Sequence, residues 1–487
     1  MTLASEYHPA RRALDLGPEF YDVVAPAKFP AHVLRYRNQG WAARLGLGGL
    51  SEAEWVDAMA KFQPLPDNLP EPLAFRYHGH QFRSYNDELG DGRGFLYAQM
   101  VDPVDGRLLD LGTKGSGQTP YSRFGDGRLT LKGGVREVLA TAMLEALGVD
   151  TSKTFSLVET GESLHRNDEP SPTRSSVLVR LSHSHIRIGT FQRLSALGEE
   201  ANIVKLIDYV VVNYMPDLAA LTGTARVLGF FAEVQRRVAR TGAQWMVAGF
   251  VHGVLNTDNI NVTGESFDYG PWRFIPTMDP GFTAAYFDQT GLYAYGAQAD
   301  AVSWNLARLA ECLLPLVPRD DLQAVLDGFP EGFRAAFQAE LLRRLGLADP
   351  GDDAARDALA ESLWRFLFES QAPFEQVLFD WYGGTLSADR AARSPVAAEY
   401  RGAGFAAVRA ALDRFAPVSA DLLAPSYFSH AAPCTMLIDE VEAIWDGIDA
   451  RDDWSRFSAK LAEIGEMAAA YGVSIPRGAA ETDQAGV

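Results

Sequence analysis

Apolar and polar positions follow two different rhythms along this chain. Around residues 95–114, FLYAQMV and RLLDLGTK are dense apolar runs of strand length on either side of DPVDG. The Asp105-Gly106 pair favours a tight turn, so the segment predicts a β-hairpin. In its second strand, the two-residue period puts Leu109, Leu111 and Thr113 on one side and Asp110, Gly112 and Lys114 on the other. The polar, glycine-rich stretch GSGQTPYSRFGDGR follows, and VREVLATAMLEAL then takes a helical period. Val135, Val138, Leu139, Ala142, Met143 and Ala146 share a face there, with Gly148 as a stop. SSVLVRLS and HIRIG predict two more strands. From about residue 200 the helical rhythm takes over in IVKLIDYVVVNYM, TARVLGFFAEVQRRVARTGAQWMVAGF and AVSWNLARLAECLLPL. It resumes after the linker-like GLADPGDD in ALAESLWRFLFES, LIDEVEAIWDGI and FSAKLAEIGEMAAAYG.

Composition narrows the partners. The 487 residues are 47% hydrophobic and 22% charged, an ordinary soluble globular balance with ample material for a core. A net charge of −19 is the wrong sign for gripping a nucleic-acid backbone, so no nucleic acid is expected. Cys312 and Cys434 are the only cysteines and form no C-x-x-C, which points to a reducing cytoplasm. The N-terminal residues lack the apolar run of a signal peptide. No stretch approaches eighteen uninterrupted apolar residues, so no membrane partner is expected.

The densest chemical signal is HGVLNTDNINVTGESFDYG at 252–270. It has the pattern of the catalytic and metal-binding segment of a protein-kinase-like fold: H-G-D-L-x-x-x-N, a short strand, then D-F-G. His252, Gly253, Leu255 and Asn259 fall in register, and Asp268-Tyr269-Gly270 begins nine positions after Asn259. Asn259 and Asp268 are oxygen ligands suited to Mg²⁺ bridging nucleotide phosphates. Val254 stands where the general-base aspartate belongs, and valine cannot accept a proton. Asp258, beside Asn259, is either a loop-capping residue or a replacement base. His252 reads as a structural hydrogen-bonder.

Other charges gain meaning from that segment. Lys114 ends a strand, and Glu137 lies in the next helix, twenty-three positions on. Alone they read as surface charges; with the metal segment downstream they read as the lysine–glutamate pair that holds phosphates in kinases. Gly90-Asp91-Gly92-Arg93-Gly94 precedes a strand, and Gly125-Asp126-Gly127-Arg128 nearly repeats it. Glycines admit backbone amides to phosphate oxygens and Arg93 adds a planar fork, although each such run alone is also an ordinary turn. GTKGSGQT carries its lysine before the glycines and is not a P-loop. Arg180 and Arg187, on consecutive predicted strands, either clamp a terminal phosphate or lie solvated. His78/His80 and His183/His185 alternate by two, but no further zinc ligands are evident beside them.

The segments LGDGRG, LGTKGSGQTPYSRFGDGR, VREVLATAML, VLVRLSHSHIRIGTF, HGVLNTDN, FDYGPWRF and SWNLARLAECL resemble the selenoprotein O family. The match runs from about residue 75 to 315, and more loosely over the whole length. The resemblance implies an α+β, protein-kinase-like two-lobed fold that binds ATP in a flipped orientation. It implies transfer of AMP, not phosphate, to Ser, Thr or Tyr hydroxyls of protein substrates, the chain itself among the candidates. Matched position by position, Lys114 pairs with Glu137 and holds the phosphates. Gly90, Gly92, Arg93, Asp126, Gly127, Arg180 and Arg187 match ATP contacts, Asp258 the proton acceptor, and Asn259 and Asp268 the Mg²⁺ ligands, with Asp268 also touching ATP. YHGHQFRSYNDE departs from the family's Y-x-G-H-Q-F-G-x-x-N-P-x, and the tail lacks the Sec or Cys of some members. Whether ATP or UTP is the donor, and Mg²⁺ or Mn²⁺ the metal, stays open.

On this reading the expected organisation is an N-terminal extension over 1–70 packed on the body, a kinase-like N-lobe over 71–200 and a C-lobe over 201–345. An extra C-terminal helical region covers 346–475, and 476–487 form a disordered tail. An inverted ATP would also account for Val254. The γ-phosphate would lie deep, toward Lys114, Arg180 and Arg187, and the α-phosphate would face the acceptor. A lost general base costs about 10²–10⁴ in rate, which a retained metal and cation cluster can survive. Two other functions remain open on the residues: a non-catalytic ATP-binding scaffold, and a small-molecule phosphotransferase, which Val254 argues against.

Overall fold

The computed structural model describes residues 3–167 and 169–476; the expected disordered tail, apart from Pro476, lies outside them. Among the described residues, the first half is organised by one nine-stranded antiparallel sheet. Its main path runs Tyr21–Val23, Leu73–Phe75, Leu96–Val101, Leu108–Lys114, Thr173–Ser182, Lys153–Leu164 and Val33–Arg37. Pro9–Ala10 pairs with Leu96–Val101, and Leu129–Thr130 with Thr173–Ser182. The expected hairpin forms, with Val101 opposite Leu108 and Gly106 at φ 74° in the turn. Both outer strands of the path come from the first forty residues.

The sheet is covered on both faces, so the Leu108–Lys114 strand is buried at every position. Leu109, Leu111, Val177, Val179 and Leu181 pack against Trp41, Leu45, Trp55 and Met59 from the N-terminal segment. The opposite face meets the helix Leu131–Ala146, whose Thr130 cap accepts from the Gly133 amide. This helix comes unusually close to the strands at Gly134. A Cβ there would lie 2.4 Å from Leu157 Cδ1 and 2.8 Å from Ser176 Oγ. That close approach, one turn before Glu137, sets the carboxylate against the sheet.

HIRIG does not form the predicted strand. Arg187 makes only an isolated bridge with Asn261, and the helix Ile188–Ala196 starts immediately after it. Ile188, Phe191 and Leu194 recur at helical spacing and are buried, so the helical stripe overrides the short alternation that precedes it. Arg187 therefore leaves the sheet and sits at a helix start, while Arg180 stays within its strand.

The second half is helical as the pattern predicts: Glu200–Tyr214, Gly223–Val247, Gln298–Leu313, Asp353–Ser370, Ile438–Arg451 and Ser455–Ala470. Two further helices, Arg319–Asp327 and Phe329–Arg344, pack on Gly223–Val247. The linker-like stretch is held in place, because Ala348 and Val418 donate to Ala416 and Gly346 and Asp352 caps the next helix. The last two helices return to the sheet half. Ile464 and Met467 share the core cluster with Val135, Val138 and Met143, and Lys132 pairs with Glu442 at 2.6 Å. No helix of the described residues is long and apolar enough to cross a membrane.

Candidate active site

A cleft of about 660 Å³ opens beside the sheet, and its floor is a buried charge cluster. Lys114 comes from the end of its strand, Arg180 from the neighbouring strand, and Glu137 from the helix behind them. In register Lys114 lies opposite Leu178 and Gly112 opposite Arg180, so both cations project from one face, toward that helix. Glu137 is completely buried between them, 2.7 Å from Lys114 Nζ and 2.6 Å from an Arg180 terminal nitrogen. Asp268 closes the cluster from the cleft side, 2.9 Å from Lys114 and 3.2 Å from Arg180. Burial opposes ionisation of Glu137, but Arg180 and Lys114 outweigh it and lower its carboxyl below the usual glutamate range. Burial likewise opposes ionisation of Asp268, which Lys114, Arg180 and Arg93 hold well below the usual aspartate range.

The 252–270 segment is tied down so that Asp268 reaches this cluster and Asp258 lines the same cleft. His252 is buried and bonds through Nε2 to the Phe267 carbonyl at 2.8 Å, joining the two ends of the motif. It is a structural residue, as its pattern suggests. Thr257 accepts from the His80 amide and donates to Gln192. Asp268 adopts φ 62°, a left-handed conformation that aspartate tolerates better than most residues, and lines the cleft. Asn259 donates from Nδ2 to the Val254 carbonyl at 3.0 Å, which leaves its amide oxygen as an acceptor able to ligate a cation.

Arg187 joins the two sides of the cleft. Its guanidinium lies 4.5 Å from the Tyr77 ring centre and 4.9 Å from that of Phe267, and pairs with Asp91 at 3.2 Å. It also donates to the backbone carbonyl of Asp258 at 3.1 Å. Asp258 itself lines the cleft but is largely buried, and its Oδ1 has no hydrogen-bond partner among the described residues. Burial pushes its carboxyl up to about 6, with Arg187 opposing.

The two glycine-rich runs form the facing wall. Gly90 lies flat under Tyr121, where a Cβ would come within 2.3 Å of the ring. The Tyr121 hydroxyl reaches Asp22. Gly92 and Gly127 line the cleft, Arg93 is exposed at its edge, and Asp126 accepts from Arg166 at 2.8 and 3.1 Å. Ten of the twelve residues singled out from sequence thus border one space; Glu137 stands behind it, and Asn259 shares a single turn with Asp258. Sequence reasoning gave no part to Asp91, Tyr77 or Phe267. Asp91 was within reach, because it is the central residue of the GDG run; the two rings carry no local signature.

Among the described residues no three His, Cys, Asp or Glu side chains gather to hold a metal. Asn259 and Asp268 supply two oxygen ligands, which fits Mg²⁺ completed by phosphate oxygens and water. The chemistry available is thus electrostatic: a deep cluster of cations able to meet a polyphosphate, with the carboxylates of Asp258 and Asp268 on the same cleft wall. Glu137→Ala leaves two buried cations with Asp268 as their one remaining carboxylate partner, and stability should fall by about 3–5 kcal/mol in urea unfolding. A loss below about 1 kcal/mol would mean that Lys114 and Arg180 find solvent once Glu137 is gone.

Comparison with known proteins covers nearly the whole chain. The family model described as Protein adenylyltransferase SelO matches residues 2–465. A Gloeobacter violaceus protein named Protein nucleotidyltransferase YdiU is 44% identical over 468 residues, covering 93% of this chain and 94% of its own. The protein of the same name from a Synechocystis species is 42% identical over 480 residues, covering 93% and 96%. Another from Trichormus variabilis is 48% identical over 379 residues, covering 77% and 76%.

Proposed function

Because the chain belongs to the SelO family of protein adenylyltransferases, we propose that it moves AMP from metal-bound ATP to hydroxyl groups of proteins and releases pyrophosphate. The observation that carries this reading is the pairing of an intact phosphate and metal seat with Val254 at the kinase base position. The sheet with its Lys114–Glu137 pair and the helical half bearing 252–270 correspond to the two lobes of a kinase-like fold. The N-lobe is 71–200 and the C-lobe 201–345, flanked by the 1–70 extension and the 346–475 helices.

ATP enters back to front. Lys114 and Arg180, nearly buried, take the γ-phosphate together with Arg187, while Arg93 and the glycine runs hold the outer part of the nucleotide. Asn259 and Asp268 are the residues that would hold a Mg²⁺, which would supply charge neutralisation for the phosphates. The acceptor hydroxyl oxygen forms a bond to the α-phosphorus, the bond from that phosphorus to the bridging β-oxygen breaks, and both electrons leave with pyrophosphate. Asp258, whose carboxylate lines the cleft, takes the hydroxyl proton. Lys114, Arg180 and Arg187 stabilise the developing charge without having to move. Acceptors are Ser, Thr or Tyr of other proteins, or of this chain. Two buried free thiols fit a cytoplasmic setting.

Labelled ATP decides between this function and its rivals. With α-labelled ATP, Mg²⁺ and a protein acceptor, label should appear on protein and pyrophosphate in solution, and γ-labelled ATP should leave the protein unmarked. Transfer of the γ-label would establish a phosphotransferase. Absence of both labels and of pyrophosphate would establish a scaffold.

A further inference from the structure

Phe124 has the most exposed large apolar side chain among the described residues, and it stands on the wall of the polar cleft. A fully solvated phenylalanine costs hydrophobic free energy that burial elsewhere would recover, so its position invites a partner. Of the other apolar or aromatic side chains of the cleft, three are engaged, and the smaller His165 ring is exposed on the cleft as well. Tyr77 is covered by Arg187, Leu89 is buried, and Tyr121 lies over Gly90 with its hydroxyl on Asp22.

The loop that presents Phe124 is built rather than loose. Gly125 donates to the Ser122 carbonyl at 2.7 Å, and Gln118 holds the Gly125 carbonyl at 2.8 Å. The Thr119 and Ser122 hydroxyls bond the carbonyls of Asp91 and Gly92, fastening this loop to the first glycine run. Arg123, at φ 52°, occupies a left-handed conformation that its side chain disfavours, and it too is exposed at the cleft. Arg123 and Phe124 are exposed from this loop beside the cleft.

We propose that Phe124 is the stacking platform for the nucleobase and selects a purine over a pyrimidine donor. This rests on the inverted nucleotide described above. With the triphosphate anchored at Lys114 and Arg180, the base falls at the outer end of the cleft, where Phe124 supplies an unoccupied aromatic face. Stacking on an aromatic side chain needs no hydrogen-bond code and grows with the area of the base, so adenine gains more than uracil.

The test is calorimetric binding of ATP, UTP and inorganic tripolyphosphate, each with Mg²⁺, to the wild-type chain, Phe124→Ala and Phe124→Trp. The wild type should bind ATP more tightly than UTP. Phe124→Ala should weaken ATP about tenfold and UTP about threefold or less, and leave tripolyphosphate unchanged. Phe124→Trp should retain the ATP affinity. An ATP affinity unchanged in Phe124→Ala, an equal loss for all three ligands, or wild-type binding of tripolyphosphate as tight as ATP each overturns the platform. A wild type that binds tripolyphosphate and both nucleotides, but with Phe124 irrelevant, leaves the adenylyltransferase reading standing. A wild type that binds none of the three removes both. Phe124 is exposed, so the alanine variant should fold with an unchanged melting temperature.

Discussion

Asp268→Ala is expected to abolish the metal-dependent part of ATP binding and, with it, transfer. Asp268 is the one carboxylate that touches both Lys114 and Arg180 while still lining the cleft. Its own charge is secured by those cations, so it is ionised and ready to ligate at any working pH. Removing it has two effects of opposite sign. The metal loses one of its two protein ligands, which should weaken Mg·ATP by about two orders of magnitude or more. The cation cluster, meanwhile, is left with Glu137 alone as its counter-charge, so metal-free polyphosphate should bind as well as before or better. Titrating ATP with and without a chelator separates the two. In the wild type the chelator should weaken binding strongly, and in Asp268→Ala it should change little. A variant that keeps the full chelator sensitivity would remove Asp268 from the metal seat.

Asp258→Asn should leave ATP affinity within about threefold and slow transfer by about 10²–10⁴. Asparagine preserves size, and the backbone carbonyl of residue 258 still receives Arg187, so the loop should keep its place. What disappears is an acceptor for the hydroxyl proton. Asp258 lines the cleft, and burial pushes its carboxyl up to about 6. Single-turnover transfer from α-labelled ATP is the measurement. A rate equal to wild type would reduce Asp258 to a capping residue, the other reading of its position beside Asn259.

Much of this site was legible because its parts are local. The Lys114 strand, the Glu137 helix and the Arg180 strand each declare themselves through side-chain period, and 252–270 through residue type at fixed spacing. Arg187 was placed on the wrong kind of element. Ile186 and Ile188 alternate like a strand, while Ile188, Phe191 and Leu194 recur like a helix, and five residues cannot decide between the two. Long-range contacts were not legible. Nothing in Tyr21–Val23 or Val33–Arg37 says that they flank a sheet whose middle lies sixty or more residues away. The same holds for Tyr77 and Phe267, which matter only because folding stacks both on one guanidinium.

The helix that carries Glu137 has its far wall supplied by the helices Ile438–Arg451 and Ser455–Ala470. Ile464 and Met467 pack with its apolar stripe, Lys132 meets Glu442, and Arg174 on the adjoining strand meets Asp452 at 2.7 Å. A ribosome making this protein therefore releases some three hundred residues after Glu137 before the glutamate gains this support. A version stopped after residue 434 should bind Mg·ATP poorly although Lys114, Glu137, Arg180 and Asp268 are all present.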